Sequence, residues 1–121
     1  MSYLEKSQAL QAMIGQGQSL EALEQFYHED VVVIDGGSEP RNGKEAQKQA
    51  ILGWMGMVKE VHGGGVNSIT ADESNGITMV ESWIETTFQD GSRVKMEEVA
   101  VQKWDGDKII HERFYHNMPS G

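Results

Sequence analysis

Three Asx-Gly pairs constrain the fold of this chain more than any other feature, because they recur at equal intervals through its second half. The pairs are Asn75-Gly76, Asp90-Gly91 and Asp105-Gly106, each fifteen residues from the next. Asn and Asp tolerate the positive φ angles of tight turns and Gly prefers them, so each pair marks a β-hairpin. The spacing predicts an antiparallel meander of four strands, over residues 65–74, 77–89, 92–104 and 108–117.

The first half of the chain carries mainly helical patterns, in which apolar residues recur at three- and four-residue intervals. The predicted elements are helices over residues 2–16, 20–27 and 44–59, a β-branched strand over residues 31–34, and a loop over residues 38–42. The glycine run 63–65 separates the last helix from the meander. Helices followed by a long twisted antiparallel sheet predict an α+β fold, with the helices on one face of the sheet.

The composition limits the class of protein. The 121 residues, 38% hydrophobic and 24% charged, predict one domain over residues 1–121. The absence of cysteine excludes disulfides, thiolate metal sites and cysteine nucleophiles. A net charge of −9 argues against a nucleic acid or an anionic membrane as partner. The first fifteen residues contain no apolar run that predicts a signal peptide or membrane span, so we expect a cytoplasmic protein.

Alternation along the strands assigns the side chains to two faces of the predicted sheet. The assignment takes the Asp90-Gly91 turn as two residues and the loop over residues 105–108 as two or four residues. The first face then holds Val80, Ser82, Ile84, Glu97, Val99, Val101, Ile110, Glu112, Phe114 and His116. The second face holds Met79, Glu81, Trp83, Glu85, Met96, Glu98, Ala100, Gln102, Trp104, His111, Arg113 and Tyr115. A three-residue loop before the last strand would exchange the faces of that strand.

The first face combines apolar residues, against which the helices can pack, with several ionisable groups. A buried carboxylate is costly unless it is paired or hydrated, so we predict a pocket at one end of the sheet that binds a small hydrophobic ligand. The residues predicted to line this pocket are Tyr27, Asp35, Trp54, Ser82, Glu97, Val99, Glu112, Phe114 and His116.

Glu112 and His116 are the predicted catalytic pair, because both lie on one face of one strand. Burial raises the pKa of a carboxyl group toward neutrality, which suits Glu112 to act as a base while His116 donates a proton. The alternative is structural: Glu112 pairs with a neighbouring Lys or Tyr, and His116 is a hydrogen-bonded residue near the open end of the sheet. Asp35 is in turn often a residue that ends a strand.

The second face has the composition of an interface, since aromatic residues, Met and Arg lie among charges. It predicts a homodimer formed through Trp83, Trp104, Arg113 and Tyr115, with a plainly exposed surface as the alternative. No cofactor is predicted. The four His lack the spacing of metal ligands, so no metal site is predicted either.

Several short motifs, taken in order, resemble a known superfamily. They are Phe26-Tyr-His-Glu-Asp30 with the strand that follows, Asn42-Gly43-Lys-Glu-Ala46 before the long helix, and Trp104-Asp-Gly-Asp-Lys-Ile-Ile-His-Glu-Arg-Phe-Tyr115 at the end. Together they resemble the SnoaL-like branch of the nuclear-transport-factor-2-like (NTF2-like) superfamily. The resemblance implies a cone-shaped α+β barrel, a deep internal pocket and usually a dimer.

The superfamily includes ketosteroid isomerases, scytalone dehydratases, epoxide hydrolases, polyketide cyclases and binding domains, so the fold does not settle the function. Ser82, Ile84 and Phe114 stand where the resemblance places the Asp-Arg-Asp triad of the epoxide hydrolases, and the acid of the cyclases falls near Phe114 as well. Two hypotheses follow. The chain is a cofactor-free lyase or isomerase of a hydrophobic carbonyl compound, or it is a non-catalytic domain that binds a ligand or partner.

Overall fold

The computed structural model describes residues 1–117, in which three helices cover one face of a six-stranded sheet. The helices are α1 (Tyr3–Gly15), α2 (Ser19–Phe26) and α3 (Lys44–Met57). The strands are β1 (Tyr27–Asp35), β2 (Arg41–Asn42), β3 (Val58–Asp72), β4 (Ile77–Phe88), β5 (Arg93–Asp105) and β6 (Lys108–His116). The sheet order is β2-β1-β6-β5-β4-β3, and β1 and β6 are its parallel neighbours. The predicted α+β class is confirmed, with a curved sheet that does not close into a barrel.

Helix α1 begins with a capping box that its sequence encodes. The Ser2 hydroxyl accepts from the Glu5 backbone N–H at 3.0 Å, and the Glu5 carboxylate accepts from the Ser2 N–H at 2.9 Å. The Glu73 carboxylate, from the turn between β3 and β4, accepts from the N–H groups of Tyr3 and Leu4 at 2.8 and 3.0 Å. These bonds use donors that a helix leaves free at its N-terminus, so they fix α1 to the sheet.

The hydrophobic core lies at the end of the sheet that α1 and α2 cover. Its fully buried members include Leu10, Leu23 and Ile109. Trp104 is only 4% exposed and packs edge-on against Phe26, with ring centroids 6.1 Å apart. The prediction that Trp104 lies on the outer face of the sheet is therefore wrong, because its indole belongs to the core.

The turn between β4 and β5 has three residues instead of two, which reverses the predicted faces of β5. The Phe88 N–H donates to the Ser92 carbonyl at 2.8 Å across the turn. The Asp90 carboxylate accepts from both the N–H and the hydroxyl of Ser92, at 2.9 and 2.6 Å, and stabilises this closure. One extra turn residue shifts the register by one, so every side chain of β5 changes face.

The shifted register corrects the predicted pairs of β4 and β5. Ser82 pairs with Glu98 and Val80 pairs with Ala100, on the inner face that the helices cover. The residues of β5 on this inner face are Met96, Glu98, Ala100, Gln102 and Trp104, whereas Glu97, Val99 and Val101 lie on the outer face.

Strand β6 has the predicted faces except at its start. Asp105 pairs with Lys108, so the loop contains two residues. Since β5 has changed face, this loop alone would place Glu112 opposite Val101 on the outer face. A register shift near Trp104 inserts one extra residue into β6 and brings Glu112 and Phe114 opposite Gln102 and Ala100, on the inner face, as predicted. Ile109 is therefore the fully buried isoleucine, at 0% exposure, and the prediction that Ile110 faces inward with Glu112 is wrong.

Three other boundaries differ from the prediction. Strand β1 begins at Tyr27, β2 forms within the predicted loop, and β3 begins directly after α3. The run Gly63–Gly65 consequently lies inside β3. A Cβ atom at Gly63 or Gly65 would lie 3.2 or 3.3 Å from the Trp83 ring, so the missing side chains leave room for this indole on the outer face.

Candidate functional site

Burial changes sharply along the inner face of the sheet. Near α1 and α2, Thr78, Gln102 and Glu112 are at most 1% exposed. Further along the same strands, Ser82, Glu98, Phe114 and His116 are half-buried. On the C-terminal half of α3, Leu52, Met55 and Met57 are exposed as well. The inner face therefore has a closed end and an open end.

A chain of polar side chains, here called the buried network, occupies the closed end. Its members are Ser7, Tyr27, Thr78, Gln102, Trp104 and Glu112. The Trp104 indole N–H donates to the Thr78 hydroxyl at 2.9 Å, and Thr78 donates to Oε1 of Gln102 at 2.8 Å. Ser7 donates to the same Gln102 oxygen at 3.1 Å.

The donors and acceptors of the network follow one order from Trp104 to Glu112, because an indole N–H can only donate. Thr78 must use its own hydrogen toward Gln102, and the amide then turns Nε2 toward Glu112. Gln102 Nε2 donates to one oxygen of Glu112 at 2.8 Å, and the Tyr27 hydroxyl donates to the other at 2.5 Å. Both carboxyl oxygens of Glu112 are thus occupied by donors from the protein.

Burial and hydrogen bonding shift the pKa of Glu112 in opposite directions. Desolvation is the largest effect, and the pKa of Glu112 rises from 4.5 to about 7 although Tyr27 and Gln102 stabilise its anion. Burial, and then the nearby Glu112, raise the pKa of Tyr27 well above its usual value. Tyr27 therefore remains a neutral donor.

A second group, here called the rim cluster, lies at the open end and consists of Asp35, Arg41, Glu98 and His116. His116 Nε2 is 3.0 Å from Oδ1 of Asp35, and these side chains are 15% and 44% exposed. Arg41 lies 3.9 Å from the other Asp35 oxygen, and its Nε donates to Gln47 of α3 at 2.8 Å. Strand β2 and helix α3 together therefore hold a guanidinium beside the Asp35–His116 pair.

Glu98 completes the rim cluster from β5, where it pairs with His116 across the strands. Burial raises the pKa of Glu98, the charge of Asp35 raises it further, and the charge of His116 lowers it. An imidazole thus lies near two carboxyl groups, in a part of the fold that solvent reaches. Such a cluster can take up and release protons.

The structure brings together some of the predicted site residues and separates others. Asp35 and His116 form a direct pair. Glu112 and His116 share a face as predicted, but four residues of β6 place them about 13 Å apart, with Phe114 between them. Glu112 is bonded to Tyr27, which is the structural alternative considered for it from the sequence.

The remaining predicted residues have different surroundings. Ser82 and Phe114 lie on the open end of the inner face, and Trp54 is half-buried in the exposed half of α3. Glu97 and Val99 do not share a face with Glu112. They lie on the outer face with Glu81 and Tyr115. All four line an open groove of about 350 Å³, which Glu98 and His116 of the rim cluster also line.

Sequence reasoning missed Arg41, Gln102 and Glu98 as site residues. Arg41 belongs to the strand β2 that was predicted as loop, and the two others belong to the strand whose faces were exchanged. Among residues 1–117, no group of three or more His, Asp and Glu side chains is arranged to hold a metal ion. No helix in this range is long and apolar enough to cross a membrane.

The SnoaL-like domain family model matches residues 1–116, so the chain belongs to the SnoaL-like domain family. This confirms the resemblance to the NTF2-like superfamily. No protein of curated function matches the sequence.

Solved structures agree with this assignment. A protein from Mesorhizobium loti, provisionally named a SnoaL-like polyketide cyclase, has a TM-score of 0.84 and 27% identity over 95% of this chain and 99% of that chain. A provisionally named isomerase from Bacillus subtilis has a TM-score of 0.81 and 15% identity over 97% and 90%. An LEH-like epoxide hydrolase from M. tuberculosis has a TM-score of 0.74 and 16% identity over 95% and 82%. The last two show the shared fold alone.

Proposed function

We propose that this protein binds a small molecule at the open end of the inner face and acts as a cofactor-free lyase or isomerase on a hydrophobic carbonyl compound. The observation that carries the proposal is the 3.0 Å contact between His116 Nε2 and Asp35 Oδ1 in a half-open part of the fold. In this arrangement Asp35 orients the imidazole, and His116 exchanges a proton with the ligand.

The surroundings of His116 suit a ligand that is mostly apolar with one polar group. Phe114 and Ile84 supply apolar surface on the same face, and Ser82 supplies a hydroxyl. When a base of the rim cluster removes a proton from the carbon beside a carbonyl group, the C–H electron pair moves to the carbonyl oxygen. Arg41 is the nearby cation that would stabilise the resulting enolate.

This assignment replaces Glu112 as the base. Glu112 is 1% exposed and both of its oxygens already accept hydrogen bonds, so a ligand would have to break the buried network to reach it. The name of the neighbour from M. loti, a cyclase, supports proton-transfer chemistry. Ser82, Ile84 and Phe114 replace the charged triad of the epoxide hydrolases and therefore argue against epoxide opening.

A non-catalytic ligand-binding or partner-binding domain is the second candidate. The observation that favours it is the saturated Glu112, because the deepest acid of the inner face has no free oxygen for chemistry. The two candidates differ in the outcome of substitution at His116.

A thermal-shift screen of hydrophobic ketones and phenols would find a ligand, and turnover of that ligand would then be measured. We expect His116→Gln to retain binding within a few-fold and to lose turnover, and Asp35→Asn to lower turnover by about 10²–10⁴-fold, as for other proton-transfer residues. Unchanged turnover in His116→Gln would contradict the enzyme proposal. Binding without turnover in the unsubstituted protein would favour the second candidate.

We also propose that the outer face forms a homodimer through Trp83, Arg113 and Tyr115, without Trp104. Tyr115 and Met79 are 53% and 45% exposed on this face. Arg113 lies over the Tyr115 ring at 5.0 Å, and Lys95 lies over the Trp83 ring at the same distance. Aromatic surface with balanced charges is typical of an interface between two copies of a chain.

A further inference from the structure

Glu98 has an unusual position for an acidic side chain. It pairs with Ser82 on one side and His116 on the other, so its carboxyl group points to the inner face. The side chain is half-buried. Within residues 1–117, no backbone or side-chain group donates a hydrogen bond to it. In contrast, Glu112 on the same face accepts two hydrogen bonds.

A partly buried carboxyl group without a protein donor has lost much of its hydration and has gained no partner in return. The strands place it beside the imidazole of His116, and its charge is also coupled to Asp35. Burial raises its pKa, so it can change its protonation state nearer to neutral pH than an exposed glutamate can. These are the properties of a group that exchanges a proton with a bound molecule.

We propose that Glu98 is a second catalytic residue of the rim cluster, which contacts the ligand and exchanges a proton with it in alternation with His116. The inference rests on the proposed function, because it assigns the second of two proton-transfer groups to the same site. It also assigns the ligand class more narrowly, as a carbon acid whose acidic C–H lies against the Glu98 and His116 side chains on the inner face of β5 and β6.

The reaction balances without a cofactor. The Glu98 carboxylate takes a proton from the carbon beside the carbonyl group, so the C–H bond breaks, an O–H bond forms on Glu98, and the electron pair moves to the carbonyl oxygen. Protonated His116 then gives its proton to another carbon of the enolate, and the carbonyl group is restored. Transfer of the proton from Glu98 to His116 returns both groups to their starting states.

A nitrobenzisoxazole is a suitable probe, because its ring opens when a base removes the hydrogen on its ring carbon. The C–H pair then forms the nitrile, the N–O bond breaks, and the oxygen leaves as a coloured phenolate. We expect the protein to accelerate this opening above the buffer rate and Glu98→Gln to lower the rate at least tenfold. Glu60→Gln, an exposed acid on β3, should leave the rate unchanged.

The outcomes separate the two proposals. If the unsubstituted protein does not accelerate ring opening, the proposed proton-transfer function is wrong. If His116→Gln lowers the rate and Glu98→Gln does not, the function stands and the role of Glu98 is wrong. Loss of rate in both variants supports both proposals, provided that their circular dichroism spectra match that of the unsubstituted protein.

A second measurement does not require that Glu98→Gln folds. Carboxyl ¹³C resonances report the titration of Glu98 directly in the unsubstituted protein. Since the charge of Asp35 raises the pKa of Glu98 and that of His116 lowers it, Asp35→Asn should lower the titration midpoint and His116→Gln should raise it. A midpoint that moves in neither variant overturns the inference.

Discussion

Tyr27 donates its phenol O–H to Glu112 at 2.5 Å, which joins the first residue of β1 to the middle of β6 inside the closed end of the sheet. Gln102 occupies the second oxygen of the same carboxyl group at 2.8 Å. Two donors from two different strands therefore hold an acid that is 1% exposed. Such a group contributes to folding in a way that depends on pH.

The free energy of unfolding should decrease between about pH 5 and pH 7 because of Glu112. Its pKa is raised from 4.5 to about 7 on folding, so within this window the folded state binds more protons than the unfolded state. Stability that is present at low pH is then lost as pH rises, on the order of 3 kcal/mol in total for this group. Urea denaturation at several pH values would measure this slope.

Glu112→Gln should remove the contribution of this residue to the pH dependence of the free energy of unfolding, because the amide does not titrate. The variant should also lose roughly 1 kcal/mol at pH 5, where folded Glu112 is a neutral acid, because its hydroxyl oxygen can still accept a hydrogen bond and the amide NH2 that replaces it cannot. The contribution of Glu112 is the difference in this pH dependence between the unsubstituted protein and Glu112→Gln, since contributions from other acids cancel in that difference. Glu60→Gln should keep the full slope, and an equal slope in Glu112→Gln would contradict the assignment.

Because the Trp104 indole can only donate and Thr78 accepts from it, the losses of stability caused by substituting these two residues should not be additive. Trp104→Phe leaves the Thr78 hydroxyl without its donor, and Thr78→Val leaves the indole N–H without an acceptor. Each single change should cost about 1–3 kcal/mol, because Thr78→Val leaves the indole N–H unpaired and Trp104→Phe removes one of the two hydrogen bonds of the Thr78 hydroxyl. The double variant should cost less than the sum by about 0.5–1.5 kcal/mol. Strictly additive losses in urea denaturation would show that the two residues act independently.

Much of the fold follows from patterns that are visible in the chain, and the error on β5 has a specific cause. The Asx-Gly pairs located all three hairpins, and alternation on β4 and most of β6 gave the observed faces. Asp90-Gly91 is compatible with both two- and three-residue turns, and the bonds from Ser92 to Asp90 select the longer one.

Strand β5 itself does contain a signal for the correct register. Its charged residues fall mainly on alternate positions, which marks the solvent-facing side: Arg93, Lys95, Glu97, Lys103 and Asp105. Only Glu98 interrupts this pattern from the other face. Weighting this alternation above the assumed turn length would have placed Gln102 and Trp104 inside and identified Glu98 as the exceptional acid.

Pairing across distant strands was less accessible from the sequence. The contact between Asp35 and His116 depends on β1 and β6 becoming parallel neighbours, and no short-range motif encodes that pairing. The role of Arg41 depends likewise on the two-residue strand β2, which is too short to give a periodic pattern.

Alanine substitutions in the glycine run of β3 should have unequal effects. A Cβ atom at Gly64 would lie 3.1 Å from the backbone oxygen of Trp83, which cannot move without disturbing β4. At Gly63 and Gly65 the nearest atoms belong to the Trp83 ring, which can rotate away. Gly64→Ala should therefore cost about 1–3 kcal/mol and the other two less. Gly63→Ala and Gly65→Ala should instead change the tryptophan fluorescence, and an equal loss of stability at all three positions would contradict this account.

Homodimerisation through the outer face predicts a light-scattering mass of twice the 13.5 kDa chain at micromolar concentration. Tyr115→Asp should yield a monomer, because the carboxylate would add repulsion between two chains that each carry a net charge of −9 and would replace an aromatic contact. Ile14→Asp is a matched control, since Ile14 is also exposed, at 41%, but lies on α1 and away from the outer face. A monomeric unsubstituted protein would exclude this interface. A dimer that both variants leave intact would show that the chains associate through another surface.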